Sequence, residues 1–158
     1  MGIIMIIESE CVVAFNFTVK DEEENVLESS PPGKPLVYLQ GAGNLVLGLE
    51  KGLKGMKVGD KKTIIVYPEE GYGDVDPSLK LKTSKSQFPP EIKIEKDRVL
   101  ERDEKGEKKR FRIVYVDGDT VFMDGNHPMA GKTLHYNVDI VSIRPATEEE
   151  LEKGQPNL

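Results

Sequence analysis

The chain contains no tryptophan, one cysteine and two histidines in 158 residues. A single cysteine, Cys11, rules out an intrachain disulfide, and its apolar surroundings fit a reducing, cytoplasmic setting. His127 and His135 are separated by a turn and part of a strand, without helical ligand spacing, so no metal site is expected. Long hydrophobic runs are also missing. The apolar start, Ile3 to Ile7, is too short to span a bilayer and lacks the basic flank of a secretory signal; it reads as a leader or edge strand. The glycines at 41 and 43 are spaced GxG only, which falls short of a nucleotide fingerprint, so no cofactor is expected. Positive charge is not in excess either. Lys and Arg number 22 against 28 Asp and Glu, a net charge of −6, which argues against binding a phosphate backbone. The basic residues from Lys105 to Arg112 are offset by Glu101, Asp103, Glu104 and Glu107, which leaves an RNA-binding reading weak. The expected partners therefore include neither nucleic acid nor a membrane.

What is present is 37% hydrophobic and 32% charged residues, enough for one ordinary domain or a small domain with another embedded in it. Cys11 to Lys20 alternates Val13, Phe15, Phe17 and Val19 on one face, which is strand spacing. Asp21 to Asn25 reads as a solvated hairpin tip, Val26 to Ser30 as a brief return, and Leu36 to Gln40 as a further short strand. The centre of the chain is GAGNLVLGLEKGLKGMKVGDKKTIIVYPEEGYG, from Gly41 to Gly73. Leu45, Val46, Leu49, Leu53 and Met56 fall on one helical face, with Asn44 expected as the N-cap. Gly48, Gly52 and Gly55 each cost such a helix about 1 kcal/mol against alanine, so packing must hold it. Thr63 to Tyr67 reads as a buried strand closed by Pro68, and Gly71-Tyr72-Gly73 carries an aromatic on a flexible bend.

Beyond Gly73 a long segment carries strand signals of its own. Arg110 to Val116 alternates, Asp117-Gly118 is a hairpin turn and Thr120 to Met123 returns. A structureless loop of that length is improbable in a compact domain, so residues 80–123 read as an inserted β-domain. Residues 1–79 and 124–158 form the parent domain, rejoined through Thr133 to Ile143 with Leu134, Tyr136, Val138 and Ile140 on one side. Thr147-Glu148-Glu149-Glu150 is a capping-box pattern and predicts a short C-terminal helix.

The stretch from Gly41 to Gly73 resembles the heart of the FKBP-type peptidyl-prolyl cis/trans isomerases (rotamases). DGNHPMAGKTLHYNVDIVSIRPATEEEL, from Asp124 on, is similar to the re-entry segment of their SlyD-like branch, which carries an inserted-in-flap chaperone domain. The resemblance implies an α+β fold: an antiparallel twisted sheet wrapped on a short helix, with a small, mostly β insert. It also implies an isomerase that accelerates proline-limited protein folding. The partners would be unfolded or partly folded polypeptides with X-Pro bonds, met by a cytoplasmic monomer. The metal-binding tail of many SlyD-like proteins is not expected here, because the sequence closes on Gly154-Gln155-Pro156-Asn157-Leu158.

Carried over by position, the resemblance assigns a catalytic site to Tyr72, Phe17, Glu28, Val46 and Tyr136. Tyr72 matches the hydroxyl donor to bound ligand, and Val46 the amide that binds a substrate carbonyl. Phe17 stands where the family usually has tyrosine, so the ring is kept and the hydroxyl lost. Leu27 and Glu28 stand at an aromatic–aspartate pair, the carboxylate gaining one methylene. Leu27, Leu36, Tyr38, Leu45 and Leu49 are the expected substrate-binding wall and floor, and Tyr136 the aromatic of the last strand. In the insert, Ile92, Ile94, Phe111, Ile113, Tyr115, Val121 and Phe122 are the expected client-binding surface. The changes at Phe17 and Glu28 leave a second reading open, a holdase or interaction module whose pocket has weak or no turnover.

Overall fold

The computed structural model describes residues 3–158. The chain divides into two compact units, one running to Asp74 and resuming at Gly131–Leu158, the other being Val75–Ala130.

The first unit is built on β1 (Cys11–Lys20), whose apolar face is the alternation seen in the sequence, with Val13, Phe15 and Val19 fully buried. Two short strands share one of its edges in tandem: β2 (Val26–Ser29) pairs with its far end and β3 (Leu36–Leu39) with its near end. Its other edge takes β9 (Leu134–Pro145), which in turn pairs with β4 (Lys61–Val66); every pairing is antiparallel. The register slips twice. Val141 is an extra residue on β9 opposite Ala14 and Phe15, and Leu27 is an extra residue on β2, since Val19 faces Glu28 while Lys20 faces Val26. β4 is not the uniformly buried strand its apolar run suggests. Ile64 and Val66 are buried, but Ile65 and Tyr67 face solvent, because β4 is covered on one side only. The N-terminal run adds a single bridge, Ile6 with Lys57, rather than a strand, and only Ile7 is buried.

That cover is α1 (Leu47–Leu53), one residue short of eight and too short to be stable alone. Leu49 and Leu53 point into the core. Gly48 and Gly52 let the helix backbone lie directly on the sheet: a Cβ at Gly48 would meet Val66 Cγ1 at 2.9 Å, and one at Gly52 would meet Ile64 Cγ2 at 2.5 Å. Asn44 is not the N-cap. The helix starts after Val46, which has no side-chain cap bond, and the Asn44 carboxamide is used elsewhere.

The capping box at Thr147 forms as expected and opens α2 (Glu148–Lys153), closed by Gly154 in the left-handed conformation at φ 72°. Glu150 is fully buried there. Its carboxylate accepts from both Arg144 amino groups at 2.8 and 2.7 Å and from the amides of Thr147 and Asn157. The Arg144 guanidinium, then the two amides, hold this carboxyl far below the ordinary carboxylate range.

The second unit is a four-stranded antiparallel sheet in the order β5 (Lys80–Ser84), β8 (Thr120–Asp124), β7 (Glu107–Asp117), β6 (Val99–Glu104). It begins and ends wider than residues 80–123. A one-turn helix at Pro77–Leu79 and the Asn126 side chain belong to it, through Asp76 N–H to Asn126 Oδ1 at 2.8 Å and Gly125 N–H to the Leu79 carbonyl at 2.9 Å. Its core is Phe111, Ile113, Val121 and Met123, with Leu81, Phe88, Ile94 and Leu100 packed against it.

Gly52→Ala should destabilise the protein even though alanine is the better helix former by about 1 kcal/mol. The added methyl has nowhere to go against Ile64, and overpacking of this kind costs about 1–3 kcal/mol. A urea midpoint below wild type is expected; an equal or higher one would show that Ile64 yields freely.

Candidate active site

Between α1 and the concave face of the sheet lies a cleft of about 470 Å³. β1 contributes Phe15 and Phe17, β2 Glu28, β3 Leu36, the turn before α1 Gly43 to Val46, α1 Leu49, the bend after β4 Tyr72, and β9 Tyr136. The lining thus comes from separate elements, and only the assembled sheet and helix bring them together. The aromatic lining is continuous: the ring centroids of Phe15 and Phe17 are 5.8 Å apart, and those of Phe17 and Tyr136 are 6.2 Å apart, both pairs tilted.

Of the residues expected from the sequence, Phe17, Glu28, Leu36, Leu45, Val46, Leu49, Tyr72 and Tyr136 meet at this cleft. Two do not. Tyr38 is a core residue at 1% exposure; its hydroxyl donates to Gln40 Oε1 at 2.7 Å and its ring stands edge-on behind Phe15. Leu27 is the unpaired residue of the β2 bulge, and it is Glu28 that borders the cleft. The sequence reading missed Phe15, Gly43 and Asn44 as lining residues. Phe15 shared the apolar face of β1 with plain core residues, and nothing in the alternation marked where along that strand the cleft would open.

The polar equipment is sparse. The Tyr136 hydroxyl is hydrogen-bonded to Tyr72; burial first, then Tyr72, then the Glu28 carboxylate raise its phenol above the usual value of 10. Tyr72 sits on the bend with about a third of its surface open, while Tyr136 is buried. Val46 offers a second group. Its carbonyl accepts from the Leu49 and Glu50 amides, whereas its own N–H has no acceptor among the described residues. An apolar trough with a phenol and an amide N–H at its walls suits a ligand that is largely hydrophobic and presents carbonyl oxygens. No nucleophile–base pair borders it, and no group of three or more His, Cys, Asp or Glu among the described residues could hold a metal.

In the inserted unit the expected client surface divides. Ile113 and Val121 are fully buried and Phe111 nearly so; these three, with Ile94 packed on them, make the unit's own core. The strand alternation that selected them does not say which face is closed. Tyr115 and Phe122 lie off that core, after the register slips between Ile113 and Tyr115, with their rings 5.8 Å apart. Ile92 borders a groove of about 520 Å³ whose other apolar walls are Leu81, Phe88, Pro89, Leu100, Phe111 and Met123, mostly absent from the sequence expectation.

An aromatic cleft under a short glycine-seated helix, on an antiparallel sheet, lies within the stretch that places the chain in a family: it belongs to the FKBP-type peptidyl-prolyl cis-trans isomerases, whose match spans residues 6–141. Its likeness within that family is to the SlyD kind. It is 35% identical over 147 residues to the FKBP-type peptidyl-prolyl cis-trans isomerase SlyD of Treponema pallidum, covering 93% of this chain and 84% of that one. It is 38% identical over 150 residues to the SlyD of Haemophilus influenzae, covering 95% and 79%. With the SlyD of Escherichia coli it is 37% identical over 151 residues, covering 95% and 76%. The protein is therefore a peptidyl-prolyl cis/trans isomerase.

Tyr136→Phe should delete an ionisation that lies above pH 10. Alkaline absorbance titrations of wild type and variant should coincide up to pH 10 and separate beyond it. A gap opening at lower pH would contradict a buried phenol bonded to Tyr72.

Proposed function

We propose that the cleft grips the X-Pro bond of an unfolded or partly folded polypeptide while the inserted unit holds apolar segments of the same client. The protein then accelerates proline-limited folding of chains it also keeps from aggregating. The observation that carries this reading is the pairing, in one chain, of an aromatic cleft having two hydrogen-bond donors with a separate small sheet bearing its own apolar groove.

The chemistry needs no covalent step. Rotation about the imide is opposed by about 18–20 kcal/mol because twisting destroys amide resonance. The planar amide is also the more polar form, so water favours it and a dry cleft favours it less. In this reading Phe17 and Tyr136 wall the proline ring, with Leu36, Leu45 and Leu49 completing the apolar surface. The Tyr72 hydroxyl and the Val46 N–H take carbonyl oxygens on either side of the rotating bond. Groups set to meet the twisted geometry more closely than either planar one lower the barrier. Glu28 at the mouth contributes a negative charge that favours donors on the incoming chain.

For the insert, the supporting features are the groove bordered by Phe88, Pro89 and Ile92 and the exposed Tyr115 ring beside the half-buried Phe122. Among the described residues no strand pairs with the outer edges of β5 and β6, and an open edge accepts an extended peptide by backbone hydrogen bonds. A client held there is tethered to the cleft by the chain itself, which raises the local concentration of its prolines. We place this work in the reducing cytoplasm, with the protein a monomer whose partners are polypeptides rather than nucleic acid or membrane. Cys11 is buried and would stay a thiol there.

Tyr72→Ala should lower kcat/KM on a proline tetrapeptide roughly tenfold or more, the loss of one hydrogen bond plus ring contact, while shifting Tm by only a few degrees. Unaltered turnover would remove Tyr72 from the site. Deleting residues 75–130 and joining Asp74 to Gly131 should leave a folded isomerase, because the Gly131 N–H already bonds the Gly73 carbonyl at 2.7 Å. That variant should retain activity on short peptides and lose most of it in refolding of a proline-limited protein. Equal losses on both substrates would refute the division of labour.

A further inference from the structure

The turn that delivers Leu45 and Val46 to the cleft has few attachments of its own. Gly41 N–H donates to Glu50 Oε1 at 2.8 Å, and the Ala42 N–H makes a long contact of 3.4 Å to the Leu39 carbonyl. The Val46 carbonyl accepts from the Leu49 and Glu50 amides of α1, both at 3.1 Å, and two further ties come from one side chain. Asn44 Oδ1 accepts from the Leu39 N–H at 2.9 Å, and Asn44 Nδ2 donates to the Gly154 carbonyl, 110 positions away in sequence, also at 2.9 Å. One partner is a donor and the other an acceptor, so the orientation of the carboxamide is fixed by its surroundings.

Gly154 is no loose end. Its N–H donates to the Glu150 carbonyl as the closing turn of α2, and Glu150 is the buried carboxylate clamped by Arg144 of β9. The Asn157 N–H donates to the same carboxylate at 2.7 Å, which holds the chain on the far side of Gly154 as well. A continuous line of hydrogen bonds thus runs from β9 through Arg144, Glu150 and the α2 backbone to Gly154, then through Asn44 to the end of β3. Val46 stands two residues past the point where that line meets the cleft rim.

We propose that Asn44 is a positioning residue for prolyl isomerisation, and that α2 acts through it as a strut holding the Val46 amide at the cleft wall. Asn44 borders the cleft but acts on the reaction by fixing the backbone beside it. The C-terminal helix is then part of the support of the isomerase site, not just the closing element of the fold. The proposal rests on the reading that the Val46 N–H receives a substrate carbonyl.

The test separates the two. Titrating wild type with a proline tetrapeptide while following the Val46 amide resonance tests the reading of Val46. The strut is tested by Asn44→Asp, which keeps the acceptor for Leu39 but replaces the donor to Gly154 with a carboxylate that repels its carbonyl. Expected are a three- to tenfold fall in kcat/KM, the scale of one hydrogen bond, and a displaced Val46 amide resonance in the free protein. Glu150→Gln should reproduce both effects, and the double variant should be little worse than either single one, since both cut the same line. Should Glu150→Gln fail to fold, Thr147→Ala, which removes only the N-cap of α2, takes its place. Wild-type kcat/KM in Asn44→Asp, an unmoved Val46 resonance, or losses that add in full would overturn the strut. A Val46 resonance that ignores the peptide in wild type would overturn the reading of Val46 and the strut's catalytic role with it, whereas a resonance that responds in wild type while Asn44→Asp keeps full activity would overturn the strut alone.

Discussion

The closeness of α1 to β4 governs the rest of the first unit. A seven-residue helix cannot hold itself together, and the contact it makes with Ile64 and Val66 is possible only because Gly48 and Gly52 present bare backbone. Each glycine weakens the isolated helix by about 1 kcal/mol, a cost that burial of Leu49 and Leu53 more than offsets at about 1.5–3 kcal/mol per fully buried side chain. The cleft follows from the same contact. With the helix seated this low, Leu49 becomes a floor, Val46 a wall, and the half-buried Phe17 faces a space that the buried rings of Phe15 and Tyr136 border.

A site of this kind has to be dry yet still contain donors, and the structure meets both needs by keeping polar groups few and supported. Tyr136 and Tyr72 share a hydrogen bond, so neither phenol has to find water inside the cleft. Tyr38 and Gln40 do the same beneath it, through a 2.7 Å bond and a further bond from Gln40 to the Glu50 carbonyl. Glu150, the one buried carboxylate among the described residues, lies outside the cleft and is fully engaged by Arg144 and two amides. No described side chain that is buried is left without a partner, which is the condition for placing polar groups inside at all.

Much of the fold was legible from local pattern. The period-two alternation of β1, β7, β8 and β9, the Asp117-Gly118 turn and the Thr147 capping box each appear where the residues put them, because these signals depend on near neighbours. The errors came where a local signal met a distant constraint. Asn44 has the chemistry of an N-cap, but an acceptor at Gly154 and a donor at Leu39 engage it first. Leu27 and Glu28 read as a pair, but the bulge in β2 separates their roles. Ile113 and Val121 carry the same alternation as Tyr115 and Phe122, and only the packing of Leu81, Phe88 and Ile94 over one face decided which pair would be covered.

By itself the sequence determined β1, β9, the β7–β8 hairpin, the glycine-rich helix and the family, since each rests on residue order and spacing. Tertiary structure alone decided which apolar side chains line a cleft and which fill a core. That distinction is not chemical, because Phe17 at the cleft and Phe15 behind it are the same residue type. It depends on whether another element happens to cover the ring, and covering is a property of surfaces brought together from opposite ends of the chain.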